Sequence, residues 1–190
     1  MKKLLNNAIR KNQGASPTIL VFGAGWAPRS TFIERKLTSL VDSGFQVKLA
    51  LKKPRGKFSS TDRNRFQIVK INNIFRLDDL IYSFWEFLIL LFSQPKRLLD
   101  FLDIIIKYQE LVTLVKVKVI TSLPLIKEKP DLIHFEWLSQ AIDFEWVFDF
   151  FECPVVLSNR GRQLNILPHI PAYKQHIEAL LRVIAKADSL

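Results

Sequence analysis

A single cysteine, Cys153, excludes an intrachain disulfide and points to a reducing compartment. It stands between Glu152 and Pro154 and reads as a small core residue rather than a nucleophile. Long apolar runs are also missing. The longest, LIYSFWEFLILLF over Leu80–Phe92, carries Glu86 and is too short to cross a bilayer as a helix. The N-terminal MKKLLNNAIRKNQGASP is basic, but its apolar stretch is too short for a signal peptide. The expectation is a cytoplasmic protein, soluble or peripheral at the inner face of the membrane. No G-K-S/T follows the glycine turn near the N-terminus, which excludes a P-loop. No His, Cys and Asp grouping has zinc spacing, and His169 and His176 stand apart, so no metal and no bound cofactor are expected.

Apolar residues make up 48% of the 190, which is enough for one domain with a full core. Five β-rich runs stand out: TILVFGA (18–24), QVKLAL (46–51), QIVKIN (67–72), DLIHFE (131–136) and PVVLSN (154–159). Several are continuously apolar, the mark of strands covered on both faces in a parallel sheet. Helical spacing fills the intervals, at Thr31–Asp42, Asp78–Phe92, Pro95–Lys127, Leu138–Phe151 and Pro171–Ala187. Pro95 suits the first turn of a new helix. The alternation predicts an α/β fold: a Rossmann-like, doubly wound, mostly parallel sheet with helices on both faces. Residues 1–16 read as a loose lead-in and 17–190 as a single domain.

The stretch VFGAGWAPRSTFIERKL (Val21–Leu37) runs strand, glycine turn, helix. Gly23 and Gly25 fit the first two positions of a G-x-G-x-x-G dinucleotide fingerprint. Pro28 occupies the third, and Lys52 and Lys53 stand where an acid should grip the ribose, so a nicotinamide cofactor is disfavoured. Thr31 and Glu34 have capping-box spacing, which makes Glu34 a helix cap before a catalytic acid. The helix start beside Arg29, Ser30 and Thr31 offers free N–H groups to an anion; alternatively, the glycines simply make a tight turn.

WAPRSTFIERKLTSLVDSGFQVKLAL resembles the opening of the N-terminal, acceptor-side domain of GT-B fold glycosyltransferases of the glycosyltransferase family 4 type. Ser30, Thr31, Phe32 and Ile33 match the start of that family's helix, and Leu37, Leu40, Gly44 and Val47 continue it. KPDLIHFEW, PVVLSNRGRQ and YKQHIEALLRVIAKADSL resemble its later strand, strand-loop and helix segments, so the likeness covers nearly all of the chain from Thr18. It implies one half of a GT-B fold, with a nucleotide-sugar donor held mainly by a second, C-terminal domain that this chain does not contain. It also implies a hexosyltransferase-type activity that this chain is expected to lack by itself, the donor domain being a separate subunit or lost by truncation, and a glycan or lipid-linked acceptor.

The resemblance and the switch-point rule direct attention to the C-terminal ends of the strands. Gly23, Gly25, Arg29, Ser30 and Thr31 form the first loop, able to meet a phosphate. His134 and Glu136 share a strand face; Glu136 can bind sugar hydroxyls, His134 reads as a core histidine, and Trp137 either stacks on a sugar or packs. Arg160, Gly161 and Arg162 follow the fifth strand. Arg160 stands where the family often has histidine; it is always charged and cannot act as a base, and these arginines either clamp a phosphate or are simply solvated at the surface. Glu128 and Glu136 have the E-x7-E spacing of a donor-domain motif, here a coincidence. Asp143, Glu145, Asp149 and Glu152 read as a solvated helix face.

The formal charge of +10 favours anionic partners. Residues 52–70 carry seven Lys/Arg and one Asp, just before the aromatic FRLDDLIYSFWEFLILLF. A basic loop beside an aromatic helix suits an anionic membrane surface; otherwise the helix fills the core and the loop is solvated. The alternative to an acceptor domain is a non-catalytic basic module on membrane or nucleic acid. Nucleic acid is the less favoured partner, since no RRM, KH or zinc-finger pattern occurs.

Overall fold

In the computed structural model, the described residues are 16–23, 31–51, 65–71, 76–107, 122–158, 170 and 173–189. Five strands form one sheet: β1 (Thr18–Phe22), β2 (Gln46–Leu51), β3 (Gln67–Lys70), β4 (Leu132–Phe135) and β5 (Val155–Leu157). Its order is β3-β2-β1-β4-β5, and every pair is parallel, with Val21 opposite Leu49 on one side and His134 on the other. The helices are α1 (Thr31–Asp42), α2 (Leu77–Ser93), α3 (Pro95–Lys107), α4 (Leu138–Asp143), α5 (Val147–Phe150) and α6 (Lys174–Lys186). Residues 122–126 are also helical. This is an α/β, Rossmann-like doubly wound architecture.

Strand alternation splits the core in two. Ile19, Val21, Val47, Leu49, Leu132 and Val156 face α1, whose Ile33 and Leu37 cover them. Leu20, Phe22, Ala50, Ile133, Phe135 and Leu157 face the larger layer contributed by α2 to α6. β1 from Ile19 onward and β5 are continuously apolar for this reason, since successive residues are buried on opposite faces, whereas β3 at the edge buries only Val69. In the larger layer Phe22 stacks on Phe135 at 4.6 Å, and Phe101 meets the buried Trp146 edge-on at 5.0 Å. Truncating a ring such as Phe101 would cost about 3–5 kcal/mol.

α1 ends in a Schellman motif: Phe45 N–H donates to Leu40 O at 3.1 Å and Gly44 N–H to Val41 O at 2.9 Å. Gly44 supplies the required positive φ of 87°. Pro95 opens α3 in the first-turn position that tolerates its missing N–H. After α6 the chain turns alongside β5. Asp188 N–H donates to Val155 O at 3.0 Å, Leu157 N–H donates to Ser189 O at 2.9 Å, and Asp188 Oδ2 accepts from Val155 N–H at 2.9 Å.

Two helical expectations are corrected. The helix expected over Leu138–Phe151 is broken by turns at 144–146 into α4 and α5. Phe144, Glu145, Trp146 and Val147 are all buried in succession, which no single regular helix on a sheet surface achieves. The break also buries Glu145, expected on a solvated face, where Lys186 and Arg182 of α6 lie at 3.3 and 3.8 Å. The helix expected over Pro95–Lys127 is α3 followed, after residues outside the described set, by helical residues 122–126. Of the lead-in at 1–16 and the basic segment at 52–70, residues 1–15 and 52–64 lie outside the described residues.

Candidate functional site at the sheet switch point

β2 and β3 lie on one side of β1, and β4 and β5 on the other, so the strand order reverses between β1 and β4. Open α/β sheets bind ligands outside the C-terminal strand ends at such a switch point. Gly23 follows β1 there, and Glu136 and Trp137 follow β4.

The two strand exits are pinned together. Glu136 N–H donates to Phe22 O at 2.9 Å, and the Trp137 indole N–H donates to Gly23 O at 3.1 Å. Gly23 has φ +79°, and a Cβ there would lie 2.6 Å from Gln140 Oε1 and 2.9 Å from Trp137 Cδ1. Conformation and space both demand glycine at this position. Trp137 as a residue is 37% exposed, so its side chain is anchored by its N–H without being buried.

A polar cluster fills the α1 side of the same edge. Glu136 is completely buried and ion-paired with Lys36 of α1. Its Oε1 is 3.4 Å from His134 Nδ1, and His134 Nε2 lies 2.8 Å from Ser158 Oγ just beyond β5. With its proton on Nδ1 toward Glu136, His134 accepts from the Ser158 hydroxyl through Nε2. The order hydroxyl, imidazole, carboxylate is the one in which a carboxylate orients an imidazole toward a hydroxyl. Here Lys36 neutralises the carboxylate, so the cluster's evident capacity is to fix the Ser158 hydroxyl and hold one cation at the strand ends.

Of the residues singled out in the sequence, the fold thus joins Gly23 to Trp137 and His134 to Glu136. Glu136 is turned to Lys36 and His134 rather than to solvent. Glu128 is remote in role: it accepts from Lys48 at 2.7 Å. Gly25, Arg29, Ser30, Arg160, Gly161 and Arg162 lie outside the described residues, as does the side chain of Thr31. Three contributors were not singled out: Lys36, Gln140 and Ser158. A buried carboxylate ending an apolar strand calls for a cation, and α1 brings the half-buried Lys36.

Among the described residues there is no group of His, Cys, Asp and Glu able to hold a metal. A groove of about 580 Å³ lined by Arg97, Asp100, Lys129 and Glu152 belongs to the opposite end of the sheet, since Lys129 precedes β4 and Glu152 precedes β5. No family model, curated protein or solved structure matches the chain.

Proposed function

We propose that this chain is the acceptor-binding half of a glycosyltransferase, which positions a glycan or lipid-linked acceptor for a sugar delivered from a nucleotide-sugar donor by a second domain. The observation that carries the reading is Trp137, a half-open indole locked over the Gly23 carbonyl at the switch point. An anchored aromatic face, with the Gln140 carboxamide against the same glycine turn, suits a sugar ring with its hydroxyls. The sequence likeness of residues 18–190 to glycosyltransferase family 4 acceptor domains supports it independently. On this reading the enzyme works peripherally at the inner face of the membrane.

Isothermal titration of the purified chain tests the proposal. Oligosaccharides and a prenyl-diphosphate-linked sugar in detergent are expected to bind, and Trp137→Ala to weaken them at least about tenfold. UDP-glucose and GDP-mannose are expected to bind poorly. Tight nucleotide-sugar binding with no acceptor binding would overturn the assignment. The second reading, a non-catalytic basic module, is favoured by the +10 charge alone.

A further inference from the structure

α2 is inside out. Its buried residues are Asp79, Ser83, Glu86 and Leu90, at i, i+4, i+7 and i+11, which places three polar groups on the inner face. They are satisfied there. Asp79 pairs with Lys70 at the end of β3, Ser83 Oγ donates to Asp79 O at 2.7 Å, and Glu86 accepts from Lys127. The opposite arc carries Leu77, Ile81, Phe84, Trp85, Ile89 and Phe92, all exposed, with Phe84 at 61% and Phe92 at 83%. A solvated helix has the reverse arrangement. Contiguous apolar surface of this kind marks an interaction site.

The surroundings specify the occupant. Lys70 and Arg76 stand half-exposed at the N-terminal end of α2, paired with Asp79 and Asp78, and Lys96 is exposed just past its C-terminal end. The chain as a whole carries +10. Apposing two copies of so basic a chain would set like charges against each other, whereas an anionic lipid surface complements them. Aromatic residues on an apolar arc flanked by cations are the pattern of a helix lying in the interfacial plane. No helix among the described residues is long and apolar enough to cross a membrane, which leaves a surface mode.

We propose that α2 docks the protein on an anionic membrane by its outer face, with Phe84, Trp85 and Phe92 entering the headgroup–acyl boundary and the polar inner face bonded to the sheet. The chemistry recognised is a negatively charged phospholipid bilayer. From the sugar-transfer reading this takes only the membrane location. Vesicle binding by a chain that binds no sugar acceptor leaves it standing, and acceptor binding without vesicle binding removes it alone.

The test uses the full chain with vesicles of phosphatidylcholine alone and of equimolar phosphatidylcholine and phosphatidylglycerol. Cosedimentation is expected with the mixed vesicles and little with the neutral ones, together with a blue shift in emission that Trp85→Phe removes. The double variant Phe84→Glu, Phe92→Glu changes only exposed residues, and its thermal melt by circular dichroism is expected to match the parent. Its vesicle affinity is expected to fall at least about tenfold. Unchanged affinity in that variant would assign binding to charge elsewhere and overturn the proposal. So would absence of binding to anionic vesicles. A dimer, seen by light scattering, that the variant dissociates in a protein without vesicle affinity would assign the face to a second copy and also overturn it.

Discussion

Lys127 donates to both carboxylate oxygens of Glu86, at 2.9 and 3.1 Å, and so neutralises a charge on the inner face of α2 from 41 residues away. Glu86 is 5% exposed and Lys127 40%, so solvent screens the pair from one side only. Lys127→Met is expected to cost about 1–3 kcal/mol, because it leaves a buried carboxylate without its cation. Adding Glu86→Leu is expected to recover most of that loss, since an apolar side chain needs no partner there. Urea midpoints of the parent, single and double variants measure both. A double variant as unstable as the single one would contradict the account.

Tyr82, one turn before Glu86, has its phenol pushed up to about 12 by its hydrogen bond to that carboxylate, with burial adding to it. An unfolded tyrosine titrates near 10. The folded pKa is the higher one, so the stabilisation is complete below pH 10 and is lost as pH rises through about 12. Absorbance at the phenolate band, parent minus Tyr82→Phe, is expected to show a midpoint near 12 that Glu86→Gln returns toward 10.

Gly23 and Gly44 both have positive φ, yet only Gly23 is crowded. Gly44→Ala is expected to cost about 1–2 kcal/mol of backbone strain. Gly23→Ala adds displacement of Gln140 and of the Trp137 ring, so its cost is expected to exceed that of Gly44→Ala by about 1–2 kcal/mol. It is also expected to move the emission of Trp137. Equal destabilisation in paired urea melts would show that the Trp137–Gly23 contact does not constrain the turn.

Lys36→Met strands a carboxylate whose side chain has no exposed surface. The expected loss is about 3–5 kcal/mol, larger than for Lys127→Met, because Glu136 is the more deeply buried acid. Lys36→Arg is expected to recover part of it. Thermal melts of the three proteins decide the point, and a Lys36→Met melt equal to the parent would exclude a stabilising ion pair.

β1, β4 and β5 were legible because they are buried on both faces, β2 and β3 from shorter β-rich runs, and α1 because Leu37, Gly44 and Phe45 mark its core face and its stop. Gly23 and Trp137 were legible as strand exits, although their hydrogen bond was not. What could not be read was orientation. The pattern of α2 identifies a helix, but whether Phe84 or Glu86 points inward depends on Lys70 and Lys127, which arrive from β3 and from the segment before β4. The apolar run was open to a core-filling reading, and the inner face turned out polar. The break at Phe144–Trp146 was hidden because neither Gly nor Pro marks it; tertiary burial of consecutive aromatic residues imposes it. His134–Ser158 joins β4 to the residue just past its neighbour β5, a register that apolar periodicity does not set.

The hydrogen bonds from residues 188–189 to β5 close one rim of the sheet. Val155 and its Asp188 partner are 33 residues apart, and the intervening chain includes α6. During synthesis β5 therefore leaves the ribosome with its outer N–H and C=O groups still open, for an interval on the order of seconds. An unpaired strand edge is a template for other strands. The nascent protein passes through a brief adhesive stage that ends only when α6 has folded back and the bridge at Ser189 is made.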